Sequence, residues 1–426
     1  MTNFSSVRDA ARTLRSLPGE IRSRALNEFA RAIESRTEQL LAASASAFAE
    51  HSPHLSEGNA ARLRLSEHSI KQIVRSVRDV ASLSDPVFSR IEARLLDAGL
   101  ILEKVKVPLG VCAVIFESRA DVLPQIASLA LRSGNGIVLK GGSESVAINT
   151  VYREALNEVS VQVPEIPHSW CMISHERSMV EELMGARGEI DLLIPRGSKA
   201  LVDDISTRSL VPVLGHADGV CHMFIEKSAD LERALQLVLD SKLQYPAACN
   251  ALETVLIHAS IADIFCEKLA ESAENHSLSL RGCTRVCKLI PRAQPVHESE
   301  WHTEYSDRIL ACKIVLSTDD AIRHIERYGS GHTDCIVTND ADAQHEFLSR
   351  VESASVFVNC STRFADGYRF GLGAEIGIST GKIHARGPVG IEGLLTYQYR
   401  LKGNYHAVDE YAAGTRHFLH KDISDV

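Results

Sequence analysis

The residue context best suited to covalent chemistry in this chain is a cysteine set among small side chains. The segment YPAACNALETVLIH, residues 245–258, places Cys249 among Ala247, Ala248, Asn250 and Ala251, just ahead of an apolar run. Small neighbours leave room for a carbonyl to reach the sulfur, and a loop before a strand, at the join of two α/β sections, suits a nucleophile. A cysteine is also often no more than a small packed apolar group. Spacing alone does not separate Cys249 from the rest of the ten cysteines. These are scattered, with no CxxC pair and no Cys/His zinc spacing, so a metal framework is unsupported and most read as buried thiols in a reducing compartment.

Positioning such a residue requires a sizeable scaffold, and 426 residues with 45% hydrophobic and 24% charged content predict a folded protein of two or three domains. Lys and Arg number 46 against 55 Asp and Glu, a net charge of -9 that repels phosphate backbones, so nucleic acid is not expected as a partner. The start, MTNFSSVRDAARTLRS, lacks a charged n-region followed by an apolar h-region, and no run reaches the length of a membrane span. A cytoplasmic location without membrane contact is the expectation.

The first 85 or so residues read as helical, with one amphipathic helix over 21–42, a connector around Pro53 and Gly58, and another helix over 70–83. From Leu100 the period changes to two, which predicts an exposed strand or hairpin arm ending at Pro108 and Gly110. Residues 111–116 then read as a buried strand, 122–132 as a helix and 137–139 as a second strand, making a βαβ unit. The alternation continues with a helix over 144–159, a strand ending in IDLLIP, a helix after Gly197 and apolar PVL before Gly215. A second α/β section follows, with a helix over 229–243 and strands at 253–258, 334–337 and 355–359. After a Gly-rich stretch over 364–393, LLTYQYRLK alternates again as an exposed strand. Strands alternating with helices predict doubly wound α/β architecture.

The stretches VIFESRADVLPQIASLALRSGNGIVLKGG, IDLLIPRGS, VPVLGHADGVCHMFI, YPAACNALETVLIH, YGSGHTDCIVTND, VFVNCSTRFADGYRFGLGAEIGISTGKIHARGPVGIEGL and LTYQYRLKG resemble, in order and spacing, the γ-glutamyl phosphate reductases of the aldehyde dehydrogenase superfamily. The resemblance spans 107–403 and implies an α/β, aldehyde-dehydrogenase-like fold. A Rossmann-type cofactor domain would join an α/β catalytic domain and a small β oligomerisation flap. It places N-terminal helices and an NADP-binding domain at 1–91 and 108–219, a catalytic domain at 220–391, oligomerisation strands at 92–107 and 392–404, and a C-terminal tail at 405–426. It implies Cys249 as nucleophile, NADPH/NADP as cofactor, and reduction of L-glutamyl 5-phosphate to glutamate 5-semialdehyde through a thioester, in proline biosynthesis. A glutamate kinase would supply the acyl phosphate, and transient contact with it is conceivable. Two exposed strands from distant segments suggest pairing across subunits, hence a homodimer or higher homo-oligomer.

By the same resemblance Lys140 would reach the adenosine ribose or its 2′-phosphate, and Gly197 and Ser198 would open a helix near the pyrophosphate. No GxGxxG follows any expected strand. Ser143 stands where NAD-preferring relatives often carry Glu, and a neutral Ser tolerates a 2′-phosphate. Glu304 in WHTEY matches a ligand of the nicotinamide ribose. Alternative readings stay open: Lys140 as a solvated strand-end lysine, Glu304 as an exposed carboxylate. Ordinary aldehyde dehydrogenases carry a Glu base ahead of the catalytic cysteine, but no Glu occurs between Ile190 and Cys221. A reductase must protect its thioester from water, so loss of a base that activates water fits reduction. The Asn of their oxyanion hole aligns with Glu117, which cannot donate when ionised. The backbone N–H at Cys249 is then the candidate donor, with the Asn250 side chain second, or else a turn residue. His216 and His332, both in Gly-containing loops, are candidates for contacting the substrate or assisting phosphate departure, or are structural. Arg119 and Arg196 offer planar forks to an anionic substrate, or form surface ion pairs. Runner-up readings are a reductase of the same fold acting on another acyl phosphate or aldehyde, and a non-catalytic relative serving as a scaffold.

Overall fold

The computed structural model describes residues 2–55, 57–215 and 218–424. Helices come first: Ser5–Ser16, Gly19–Ser35, Thr37–His51, the short Glu57–Arg62, and Glu67–Ser82. The single helix expected over 21–42 is divided at Arg36. Thr37 Oγ1 donates to Glu34 O at 2.7 Å and Arg36 Nη1 to Ala32 O at 3.1 Å, so carbonyls freed by the break keep partners. The second segment thereby turns Leu40 and Ala47 into the core that holds Leu26, Phe29 and Ile33. Burying one leucine, roughly 2 kcal/mol, outweighs a helical hydrogen bond worth about 1 kcal/mol. Helix Glu67–Ser82 starts on a reciprocal cap, with Ser66 Oγ accepting from Ser69 N at 3.1 Å and Ser69 Oγ from Ser66 N at 2.8 Å. It buries Ile70, Val74, Val77 and Val80.

The first parallel sheet has the order Cys171–Ser174, Gly136–Lys140, Val111–Phe116, Leu192–Arg196. All of Val111–Phe116 is buried. Cys112, Val114 and Phe116 enter the core shared with the N-terminal helices, while Val111, Ala113 and Ile115 enter the core on the opposite face. Period-two geometry thus splits one continuous apolar run between two layers of helices. Strand Cys171–Ser174 escaped the sequence pattern, and PVL is strand-like only through a parallel bridge between Leu193 and Val213.

The second sheet is parallel throughout, in the order Gln294–Pro295, Ser279–Gly282, Ile309–Val315, Leu252–His258, Cys221–Ile225, Thr333–Val337, Ser355–Val358. Its core joins Met223, Val255, Phe265, Leu269 and Cys335. These two sheets with helices on their faces are the α/β architecture expected.

The third sheet is antiparallel. Leu100–Pro108 pairs with Leu395–Lys402 from Pro108↔Leu395 to Ile101↔Lys402, and on its other side with Arg90–Asp97. The two strands expected here gain two neighbours that sequence alternation did not reveal. One is the hairpin partner Arg90–Asp97; the other is Lys421–Asp422, which pairs with Arg94 and Leu95. The stretch set apart as a C-terminal tail therefore returns to complete this sheet.

Candidate functional site

Asp230 accepts from Glu232 N and Arg233 N and so caps helix Leu231–Leu243. The helix is followed by a turn that carries Cys249 into strand Leu252–His258. Cys249 is half-buried. Its turn is held from three sides: Asn250 Nδ2 donates to Ala365 O at 2.8 Å, Thr362 Oγ1 donates to Asn250 O at 2.7 Å, and Cys221 Sγ donates to Cys249 O at 3.3 Å. Gly219 lies so close that a Cβ there would fall 1.9 Å from Cys249 O. Only glycine permits that approach. Gly219 N donates to Glu304 Oε2 at 2.8 Å, tying the Cys249 turn to a second candidate residue.

Beneath the turn, Lys242 Nζ and Glu253 Oε2 form a fully buried ion pair at 2.8 Å. Burial drives the Glu253 carboxyl up to about 7 against the pull of Lys242. Glu253 Oε1 also accepts from Ser306 N at 3.4 Å. One buried pair thus joins the helix before Cys249, the strand after it and the segment bearing Glu304.

A cleft of about 450 Å³ opens above Cys249, between the N-terminal edge of the seven-stranded sheet and the C-terminal edge of the four-stranded one. Cys249, Asn250, Glu304, Arg119, Arg196, Gly197 and Ser198 all line it. Strand C-terminal edges are the usual ligand-binding side of open α/β sheets; here the nucleophile candidate comes from the opposite edge of the other sheet. Burial, then the neighbouring Arg196, lowers Arg119 to about 10, so it stays cationic at neutral pH. Arg196 donates through Nη1 to Ile376 O.

Along the same edge of the four-stranded sheet, Lys140 ends its strand half-buried, and its side chain makes no hydrogen bond or ion pair among the described residues. Ser143 is exposed and opens a short 3₁₀ turn; the acidic residue of that turn, Glu144, faces back to Ser118, whose Oγ lies 3.1 Å away. Lys140 therefore has no carboxylate paired to it among the described residues. Ser198 caps helix Lys199–Arg208, and its N–H already donates to the Glu117 carboxylate at 3.3 Å, so that helix start accepts an anionic group. The pattern of donors fits a dinucleotide carrying phosphates along this edge.

Two candidates take the alternative readings left open by the sequence. The Asn250 amide donates to Ala365 O and is buried, so it braces the turn. His332 is fully buried at the start of strand Thr333–Val337, with Nδ1 2.8 Å from Thr333 Oγ1 and 3.8 Å from Cys221 Sγ; it supports the floor of the turn and lines no part of the cleft. His216 lies outside the described residues. The structure adds Arg62, Arg363, Asp366 and Glu375 to the cleft. Asp366 and Glu375 belong to the Gly-rich stretch, which lacks a periodic pattern to place it, Arg363 immediately precedes that stretch, and Arg62 ends a helix of six residues. Among the described residues no group of His, Cys, Asp and Glu is arranged to hold a metal, none of the ten cysteines forms a disulfide, and no helix is long and apolar enough to cross a membrane.

The aldehyde dehydrogenase family model matches residues 2–285, and the chain belongs to that family, as an oxidoreductase. Within it the chain falls among the γ-glutamyl phosphate reductases. It is 46% identical to the γ-glutamyl phosphate reductase of Synechococcus sp. (strain JA-3-3Ab), across 98% of this chain and 93% of the relative. It is 42% identical to that of Acetivibrio thermocellus, across 98% and 97%. The crystal structure of γ-glutamyl phosphate reductase from Thermotoga maritima superposes with a TM-score of 0.91 at 36% identity, covering 95% of this chain and 98% of that one.

Proposed function

We propose that this enzyme reduces L-glutamyl 5-phosphate to L-glutamate 5-semialdehyde, using NADPH and a thioester on Cys249, as a step of proline biosynthesis. The observation that carries the reading is the immobilised Cys249 turn facing a cleft lined with arginines. In this reading the thiolate of Cys249 attacks the acyl carbon, and the carbon–oxygen bond to phosphate breaks. Arg363, which lines the cleft beside Cys249, stabilises the departing anion, which takes up a proton from solvent. The backbone N–H at Cys249 is the candidate donor to the acyl oxygen. Bound NADPH supplies the hydride that reduces the thioester. Carbon–sulfur cleavage then releases the aldehyde and returns the thiolate, so Cys249 needs no net proton over the cycle.

The chain's own residues divide the remaining work. Lys140 and Ser143 would meet the 2′-phosphate side of the cofactor, the Gly197–Ser198 helix start its pyrophosphate, and Glu304 its nicotinamide ribose. For the pyrophosphate to settle, the Glu117 carboxylate must leave Ser198 N. Residues 1–91 and 108–219 thus serve the cofactor and 220–391 the nucleophile. The antiparallel sheet, with Tyr397, Tyr399 and Leu401 exposed on its edge strand, is the surface for a second copy. Mass spectrometry of enzyme mixed with acyl phosphate in the absence of NADPH is expected to find a glutamyl adduct on Cys249. An adduct-free cysteine in enzyme that turns over would overturn the thioester.

A further inference from the structure

The cleft above Cys249 does not end at the reacting carbon. It continues into a second cavity of about 460 Å³, and the two share Arg119, Arg196, Asp366 and Glu375. The far wall of this second lobe comes from Gln72 and Ser76 of helix Glu67–Ser82 and Gln125 of helix Val122–Arg132. A junction with two guanidinium groups and two carboxylates is poorly suited to an apolar aldehyde.

The charges at the junction are unequally satisfied. Arg196 donates through Nη1 to the Ile376 carbonyl and lies close enough to Glu375 to favour its ionised form. Arg119 makes no hydrogen bond or ion pair among the described residues, although it lies in both lobes. A half-buried guanidinium without a hydrogen-bond partner among the described residues is stabilised by an arriving anion. On the other side, Glu375 accepts among the described residues from Gly367 N alone, at 2.8 Å, and burial raises its affinity for a proton despite Arg196. An ammonium group brought alongside would let that carboxylate ionise. Asp366 stands next to it, 3.7 Å from Arg369.

We propose that this second lobe is the specificity pocket for the α-amino-acid end of the substrate, with Arg119 receiving the α-carboxylate and Glu375 the α-ammonium. The inference rests on the reading of Cys249 as the nucleophile acting on a glutamyl group and adds which residues recognise that group. It also gives the N-terminal helical layer a part in selectivity, because Gln72 and Ser76 close the pocket behind the amino-acid head.

The test compares three aldehydes in the oxidative direction with phosphate and NADP: glutamate 5-semialdehyde, 5-oxopentanoate, which lacks the amino group, and 4-aminobutanal, which lacks the carboxylate. Ratios of kcat/KM between variant and wild type cancel the fraction of each amino aldehyde held as its cyclic imine. Glu375→Gln is expected to cut the preference for glutamate semialdehyde over 5-oxopentanoate by about 100-fold, and Arg119→Gln to cut the preference over 4-aminobutanal by a similar factor. Arg119→Lys should recover part of the lost preference, since the charge remains while the fork is lost. Thermal unfolding of each variant identifies any that fail to fold, and Asp366→Asn, with a smaller loss of preference over 5-oxopentanoate, then replaces Glu375→Gln. Equal loss on all three aldehydes, or unchanged ratios in folded variants, overturns the pocket. Wild-type enzyme that ignores glutamate semialdehyde while oxidising another aldehyde would instead overturn the proposed reaction.

Discussion

The two sides of the cleft are built differently. The Cys249 side is fixed before any ligand arrives: Asn250, Thr362 and Cys221 hold the turn, Gly219 presses against it, and the Lys242–Glu253 pair lies beneath. On the opposite side the Lys140 side chain has no hydrogen-bond partner among the described residues, Ser143 is exposed, and a carboxylate occupies the helix start. Chemistry that needs a reacting atom placed within fractions of an ångström benefits from the first arrangement. A cofactor that must enter and leave each cycle suits the second, where favourable contacts form only on binding. Disturbing the first side should therefore change kcat, and disturbing the second mainly KM.

The largest expected effect is at the sulfur. Cys249→Ala should lower turnover by roughly 10³-fold or more while leaving the unfolding transition in place, as checked by steady-state kinetics beside calorimetry. Glu253→Gln replaces the buried carboxyl by a neutral group of the same shape, and its effect is read by denaturant titration across pH. The same variant sharpens the comparison through pH. Because burial raises the folded-state affinity of Glu253 for its proton to about 7, its stabilising contribution is full below the ordinary carboxylate range and is lost as pH rises through about 7. That slope, measured as stability against pH, should flatten in Glu253→Gln.

Gly219→Ala would drive a methyl group into the Cys249 carbonyl, and kcat/KM should fall by about 100-fold as the sulfur is displaced. The smallest effect belongs to the ligand-ready side. Lys140→Ala should raise KM for NADPH by about 10-fold, the worth of one charge-assisted hydrogen bond, with kcat and KM for NADH little changed. If kcat collapsed instead, the division between a fixed side and an adaptable side would be wrong.

Legibility followed the strength of the local signal. Val111–Phe116 and Val122–Arg132 were read to the residue, because a fully buried strand and an apolar-faced helix carry clear periods. Alternation does not show strand Arg90–Asp97, most of which falls in the 92–107 span that the resemblance sets among the oligomerisation strands: RIEARLLD has charged side chains on an exposed sheet and no clean period. Lys421–Asp422 was missed because two exposed residues carry no pattern, and only their partners Arg94 and Leu95 make them a strand. In the site, Cys249 was legible through its small neighbours and the resemblance of its motif. Asn250 and His332 were not legible in their roles, since a side chain's bonds to Ala365 or Thr333 depend on distant or buried backbone.

The amino-acid sequence by itself determined the α/β alternation, the cysteine context and the absence of a Glu between Ile190 and Cys221, because these are properties of neighbours along the chain. Tertiary structure decided which charges meet. Arg62, Arg119, Arg363 and Glu375 come from segments up to three hundred or so residues apart, and only the approach of two sheet edges brings them around one sulfur. Coulomb interaction and desolvation depend on distance through space and on exclusion of water, and neither is written in the order of residues.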